Sequence, residues 1–293
     1  MNLSDELLSP IQRNILFASI LGDGTLTKIS KRSRRVNSNY RENFGQAQLS
    51  YRQWKVSFLQ ELLYFNTAQS EILSKSQPLF TALEKEFYDA NRIKRIPPDL
   101  LKTCTMPHFL AILYMDDGSL SISSRVNHRL KKIYLTPHIY LYLQSFQKTD
   151  FQILQDHIKS NYKACLTLST RKYGSGYVLK TTAVKDTFDF LNAIQPAILS
   201  CPSMYYKTNW SYRFNLEVTK WTAKYPDYEV ITSSSDRTRA YSNDEISLLI
   251  NLKLIGYTDK EIANILRRSY WSVVYKWREI NKGSITLLNS YPS

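Results

Sequence analysis

The chain has few cysteines, no long apolar run and no excess of acidic residues, and each lack excludes a class of protein. Only three cysteines occur, at positions 104, 165 and 201. Their odd number and wide spacing fit neither a disulfide framework nor a zinc ligand set, so a reducing compartment is expected. No stretch of about 18 uncharged apolar residues occurs, which predicts no transmembrane helix. The first residues, MNLSDELLSPIQRN, are too acidic for a signal or transit peptide, so secretion is not expected.

Basic residues are abundant. Lys and Arg number 39 against 25 Asp and Glu, which gives a formal net charge of +14. A chain of 293 residues with 43% hydrophobic and 22% charged composition can bury the cores of about two domains. The charge favours a polyanionic partner such as nucleic acid. No membrane partner is expected.

The order of predicted elements repeats along the chain. Apolar helices are expected over residues 10–22 and 107–116, and each is followed by an Asp-Gly pair, at Asp23 and at Asp117. A hydroxyl residue, a leucine, strand-like segments and a further helix come after each pair. This pattern indicates two related halves with a repeat of about 94 residues.

The two carboxylates indicate a shared metal site. Small residues in the first helix, Ala18, Ser19 and Gly22, would let the two helices pack closely, so that their C-terminal ends meet. Asp23 and Asp117 would then share divalent cations, and Mg²⁺ prefers carboxylate oxygen. Hydrolysis of a phosphodiester requires an activated water and neutralisation of developing charge, which carboxylate-bound metal ions supply.

The segments LFASILGDG and LAILYMDDG, at residues 16–24 and 110–118, resemble two copies of the LAGLIDADG motif of homing endonucleases. The resemblance covers roughly residues 9–222. It implies an α+β fold in which two pseudo-symmetric αββαββα halves form a DNA-binding saddle. It also assigns the metal, Mg²⁺ or Mn²⁺, to Asp23 and Asp117. The adjacent Asp116 is expected to be a bystander, because a neighbour on a helix points about 100° away from Asp117, and competition for metal is the alternative.

The resemblance implies further site residues. The segment FGQAQLSYRQW resembles a strand-to-helix junction with an active-site glutamine, assigned to Gln48 with Gln46 as the alternative, and Gln144 has the matching position in the second half. Such polar groups position the attacking water. Lys94 and Lys207 are expected to stabilise transition-state charge.

Basic residues are expected to hold the DNA. Those of the two halves follow each motif or open the next helix: Lys28, Lys31, Arg32, Arg34, Arg35, Arg52, Arg125, Arg129, Lys131, Lys132 and Lys148. Near the C-terminus, a trihelical outline over residues 242–282 resembles a helix-turn-helix. Its expected DNA contacts are Ser269, Tyr270, Ser272, Lys276 and Arg278, and its expected core is Ile262, Ile265, Val273, Val274 and Trp277.

The sequence thus predicts a first half at residues 1–104, a second half at 105–224, a linker at 225–241 and the small all-α domain at 242–282. The expected function is that of a monomeric, intron-type homing endonuclease that cuts double-stranded DNA to leave short 3′ overhangs. Two alternatives remain open: an intron maturase that binds intron RNA, and a non-catalytic LAGLIDADG transcription regulator. The expected location is an organelle, chloroplast or mitochondrion, or the cytoplasm of a bacterium or phage host.

Overall fold

The computed structural model describes residues 7–29, 33–66, 68, 70–143, 146–170, 176–233, 241–266, 268 and 270–288. The chain divides into two units, Met1–Ser235 and Asp236–Ser293. Among the described residues, the larger unit carries two β-sheets and the smaller unit three helices. Within the described ranges, no helix has the length and hydropathy needed to span a membrane.

The larger unit contains two series of elements. The first series is α1 (Pro10–Leu21), β1 (Thr25–Leu26), β2 (Tyr40–Asn43), α2 (Leu49–Ser57), β3 (Leu63–Asn66), β4 (Glu71–Ser74), α3 (Pro78–Phe87) and α4 (Pro98–Leu101). The second is α5 (Pro107–Asp117), β5 (Gly118–Asn127), β6 (Lys132–Leu141), α6 (Lys148–Tyr162), β7 (Thr167–Thr170), β8 (Tyr177–Lys180), α7 (Val184–Ile198), α8 (Tyr205–Thr208), α9 (Trp210–Lys224) and β9 (Glu229–Thr232).

The two sheets share one topology. The first has the strand order β1-β2-β4-β3, and the second has the matching order β5-β6-β8-β7. All of these pairs are antiparallel. The prediction of an α+β fold with two related antiparallel sheets is therefore confirmed.

Helices α1 and α5 form the centre of the core. Ser9 and Gln12 make a capping box at the start of α1, and Pro10 occupies its first turn. Both helices are buried around their whole circumference over residues 14–21 and 109–116, and most of these residues are apolar. The two helices pack against each other within one continuous core.

Strand β9 corrects the linker prediction. Residues 229–232 fall within the segment expected to be a polar linker, yet they pair in parallel with residues 132–135 of β6. Strand β8 pairs with β6 only at Tyr140 and Leu141, which leaves the rest of that strand edge open. Because backbone groups at an open edge need partners, the following segment adds a strand there.

The smaller unit contains α10 (Asn243–Leu254), α11 (Asp259–Ile265) and α12 (Tyr270–Leu288). Capping boxes begin α10 and α11. Four of the five residues expected in its core, Ile262, Val273, Val274 and Trp277, are buried or packed against the core. The prediction for Ile265 is wrong, because its side chain is 47% exposed and Leu266 takes the buried place.

Candidate active site

The C-terminal ends of the two central helices meet. A Cβ atom added at Gly22 would lie 2.9 Å from both Cβ and Oδ2 of Asp116, so this end of α1 touches α5 directly. Asp23 directly follows Gly22, and Asp117 directly follows Asp116. Both acids therefore lie at the same end of the helix pair. A side chain at Gly24 would overlap Tyr40, and one at Gly118 would overlap Tyr114, so each acid is followed by a position that only glycine fits.

Asp117 lies in a concentration of negative charge. Burial, followed by the charges of Asp23 and Asp116, raises the pKa of Asp117 to about 6. The sensitivity of Asp117 to Asp23 means that the two carboxylates share one electrostatic environment. Carboxylates that repel each other in this way suit a divalent cation, so the donor set fits the metal that the sequence predicts.

Asp23 is held by a buried cation. Its carboxylate Oδ2 accepts a hydrogen bond of 2.5 Å from Nη2 of Arg52, and its side chain is 32% exposed. The same nitrogen donates to Oε1 of Gln48 at 3.1 Å. The structure therefore brings Gln48 beside Asp23, whereas Gln144 lies outside the described residues.

The two predicted lysines lie against the backbone at the acids. Lys94 Nζ donates to the carbonyl oxygens of Gly22 and Gly24, both at 2.8 Å. Lys207 Nζ donates to the carbonyl of Met115 at 2.7 Å. Burial lowers the pKa of both lysines, while the carboxylates around them act in the opposite direction. One lysine thus stands at the end of each central helix.

A buried ion cluster, formed by Glu42, Arg52, Lys55 and Asp116, lies next to Asp23. Asp116 Oδ1 accepts hydrogen bonds from Tyr51 and from Arg52 Nη1, both at 2.7 Å, and Lys55 Nζ lies 3.2 Å from either oxygen of the carboxylate. Lys55 also donates to Glu42 at 2.7 Å, and Arg52 Nη1 contacts the same Glu42 oxygen. Burial opposes ionisation of Asp116, but Lys55 and Arg52 outweigh it, so the pKa of Asp116 is lowered.

This cluster corrects one prediction. The expectation that Arg52 contacts DNA is wrong, because its side chain is 0% exposed and occupied by carboxylates. Asp116, expected to be a bystander to metal binding, accepts hydrogen bonds from three side chains. Carboxylate oxygens of Asp23, Glu42 and Asp116 lie within 4.8 Å of one another, but Arg52 and Lys55 already neutralise this group. One sequence signal was available: Glu42 alternates in phase with the core residue Tyr40 along β2.

Most of the basic residues expected to contact DNA are on the surface. Those exposed are Lys28, Arg34, Arg35, Arg125, Arg129, Lys131 and Lys148, whereas Lys31 and Arg32 lie outside the described residues. Lys132 is half-buried and lies 2.9 Å from Glu229. Lys131 lies 3.9 Å from Asp227. Asp227 and Glu229, which lie before and at the start of β9, therefore face two lysines that were expected to contact phosphate.

One face of the β5–β6 pair is polar along its whole length. Side chains alternate along β6, and the buried face carries Ile133, Leu135, Pro137, Ile139 and Leu141. The opposite face joins the following cross-strand pairs: Ser119–Tyr140, Ser121–His138, Ser123–Thr136, Arg125–Tyr134 and Asn127–Lys132. Sequence reasoning missed the serines and tyrosines of this face because the strand register was not known.

The residues of the smaller unit that were expected to contact DNA differ in exposure and in their contacts. Tyr270 and Arg278 are exposed, and Ser269 lies outside the described residues. The Ser272 hydroxyl lies 3.2 Å from the Tyr241 hydroxyl. Lys276 Nζ donates to Glu279 at 3.0 Å, and its side chain is only 20% exposed. Ser272 and Lys276 thus make contacts inside the unit.

A family model matches a part of the larger unit. Residues 13–185, more than half of the chain, match the model of the LAGLIDADG DNA endonuclease family. The chain is 26% identical over 206 residues to Protein RecA of Mycolicibacterium fallax, which covers 69% of this chain and 47% of that protein. It is 33% identical over 123 residues to Protein RecA of Mycobacterium gastri, covering 41% and 29%. The chain spans less than half the length of these relatives.

A solved structure has a similar fold. The homing endonuclease I-WcaI, bound to its DNA recognition sequence, aligns with a TM-score of 0.51 and 23% identity. The alignment covers 69% of this chain and 87% of that chain. At this level of identity the likeness concerns the fold of the two halves.

Proposed function

The chain belongs to the LAGLIDADG DNA endonuclease family, and from this premise we propose that it is a monomeric, site-specific homing endonuclease of the intron type. In this proposal it hydrolyses both strands of a double-stranded DNA target with Mg²⁺ or Mn²⁺ and leaves short 3′ overhangs. Such a protein would act in an organelle or in the cytoplasm of a bacterium or phage host. The observation that carries the proposal is the meeting of two acid-bearing helix ends, at Asp23 and Asp117.

The proposed chemistry assigns a task to each residue of the site. Asp23 and Asp117 would hold the divalent ions, which when bound supply Lewis acidity and an activated water. Gln48, beside Asp23, would orient the attacking water, and Gln144 would do so in the second half. Lys94 and Lys207 would stabilise charge on the phosphate, and their hydrogen bonds to backbone carbonyls fix both ammonium groups beforehand.

The DNA would lie over the polar faces of the two sheets. Hydroxyl, imidazole and guanidinium groups along β5 and β6 can donate to and accept from base edges. Exposed residues such as Arg125 and Arg129 would contact phosphates. We assign the smaller unit, residues 242–282, to a helix-turn-helix whose helix α12 contributes Tyr270 and Arg278 to DNA, alongside Ser269, Ser272 and Lys276.

The test uses the full chain, Mg²⁺ and a supercoiled plasmid that carries the uninterrupted insertion site of its own gene. The wild type should linearise the plasmid, and mapping of the ends should show 3′ extensions. Asp23→Asn should bind the same DNA with unchanged affinity but fail to cut both strands. The matched control is Asp99→Asn, an exposed acid of α4 that pairs with Lys102, which should cut normally.

Two results would contradict the proposal. An Asp23→Asn variant that cuts both strands at the wild-type rate would remove this acid from the site. A wild type that binds the plasmid without cutting it would indicate a transcription regulator, and one that binds only its intron RNA would indicate a maturase.

A further inference from the structure

The buried ion cluster surrounds Arg52 and Lys55 of the first half, and the described part of the second half has no equivalent cluster. Thr25 pairs with Arg41 in the first sheet, and Ser119, the equivalent position two residues after Asp117, pairs with Tyr140 in the second. By this register the counterpart of Glu42 is Leu141, which is fully buried. The polar interior of one half is therefore apolar in the other.

The helix that follows shows the same difference. Arg52 and Lys55 are the fourth and seventh residues of α2, and the fourth and seventh residues of α6 are Phe151 and Leu154. All four side chains are buried, but the pair in α2 is charged and the pair in α6 is apolar. In the described part of the chain, Asp117 has no ion pair like the one that joins Asp23 to Arg52.

Asp116 enters this cluster from the opposite half. It lies in α5, the motif helix of the second half, while Arg52, Tyr51 and Lys55 lie in α2 of the first. Its counterpart in α1 is Gly22, whose missing side chain leaves the space that Asp116 occupies. The contact between the two helices is therefore asymmetric at this point, because α5 contributes a carboxylate and α1 a glycine.

The guanidinium of Arg52 connects Asp116 to Asp23. Nη1 donates to Asp116 at 2.7 Å, and Nη2 donates to Asp23 at 2.5 Å and to Gln48 at 3.1 Å. Because a guanidinium is planar and rigid, the partners of one nitrogen fix the direction of the other. The rest of the interior supports this orientation, since Arg52 is completely buried.

We infer that Asp116 is a positioning residue which, through Arg52, orients Asp23 and Gln48 across the helix interface, so that the two strands of the target are cut by unequally supported sites. The inference rests on the proposed function. Loss of the Asp116 charge weakens the hold of Arg52 on Asp23, whereas at Asp117 it only removes a repelling neighbouring charge. A variant that lacks the Asp116 charge should therefore slow the cleavage of one strand more than that of the other.

The experiment follows each strand separately, with differently labelled 5′ ends on a duplex that carries the insertion site. Asp116→Asn replaces the ion pair with Arg52 by a weaker hydrogen bond to a neutral amide oxygen, so cleavage of one strand should slow by at least about tenfold. The other strand should keep its rate within about threefold, and nicked DNA should accumulate. Affinity for the duplex in Ca²⁺, measured without cleavage, should not change.

Lys55→Met is the matched control. Lys55 is equally buried and contacts the same Asp116 carboxylate, but it makes no contact with Asp23. A purely structural cluster predicts that both variants lower the thermal unfolding midpoint and slow both strands alike. Positioning through Arg52 predicts that only Asp116→Asn changes the ratio of the two strand rates. Arg52→Lys, which cannot reach both carboxylates, should reproduce that ratio and decides the matter if Asp116→Asn does not fold.

Equal slowing of both strands by Asp116→Asn, or the same strand ratio from Lys55→Met, would overturn the inference while leaving the proposed function intact. A wild type that does not cut would overturn the proposed function and this inference together.

Discussion

Replacing Asp117 by Asn should make the protein more stable at neutral pH and inactive as a nuclease. The pKa of this carboxyl is raised from 3.8 to about 6 by burial and by the charges of Asp23 and Asp116. The folded protein therefore holds a proton on Asp117 more tightly than the unfolded chain does between about pH 4 and pH 6. Stability falls as the pH rises through that window, and above it the ionised carboxylate destabilises the fold by about 1–3 kcal/mol. An amide carries no charge and removes this cost.

Urea unfolding of the wild type and of Asp117→Asn at several pH values measures the effect. At pH 7.5 the variant should require about 1–3 kcal/mol more free energy to unfold, and below about pH 4 the two proteins should coincide. Asp99→Asn is the control, because the hydrogen bond from Lys102 lowers the pKa of that exposed acid and its removal should not stabilise. A variant that is less stable than the wild type by the same amount at every pH would refute the reasoning.

Two further predictions concern packing and DNA binding. Gly22→Ala would place a Cβ 2.9 Å from the Asp116 Cβ and should lower the free energy of unfolding in urea by about 1–3 kcal/mol. Gly45→Ala, whose Cβ would have nothing within 4 Å, should be neutral or stabilising. Equal stability of the two variants would contradict the close contact at Gly22. Arg125→Gln should reduce the slope of log affinity against log salt concentration by about one, and Lys132→Gln by less because Glu229 already neutralises it; equal slopes for these variants would show that Lys132 is available to phosphate.

The repeat could be predicted from sequence because its signals are local. An apolar helix, an Asp-Gly pair and alternating strands recur in order, and hydrophobic period and glycine position report on the nearest few residues. The topology of both sheets and the position of the central helices follow from that order. The resemblance implies positions for Gln48, Lys94 and Lys207, and the structure places these side chains at the ends of the central helices.

The interior cluster could not be predicted in the same way. The spacing in the sequence matches Arg52 with Lys148, but Arg52 is the fourth residue of α2 and buried, whereas Lys148 is the first residue of α6 and exposed. The burial of Arg52 depends on Asp23, Glu42 and Asp116, whose carboxylates contact it from outside its own helix. Burial of a charge is decided by partners distant in sequence, so composition around Arg52 favours solvent or DNA until those partners are placed.

The Gly22–Asp116 contact has a consequence for recombining such halves. A pair of first halves would set glycine against glycine and leave the positive charges of Arg52 and Lys55 with one carboxylate fewer. A pair of second halves would place two aspartates face to face in a space that one already fills. Each half is therefore complementary only to the other half at this contact. A chimera built from this chain must exchange Gly22 and Asp116 together to remain stable.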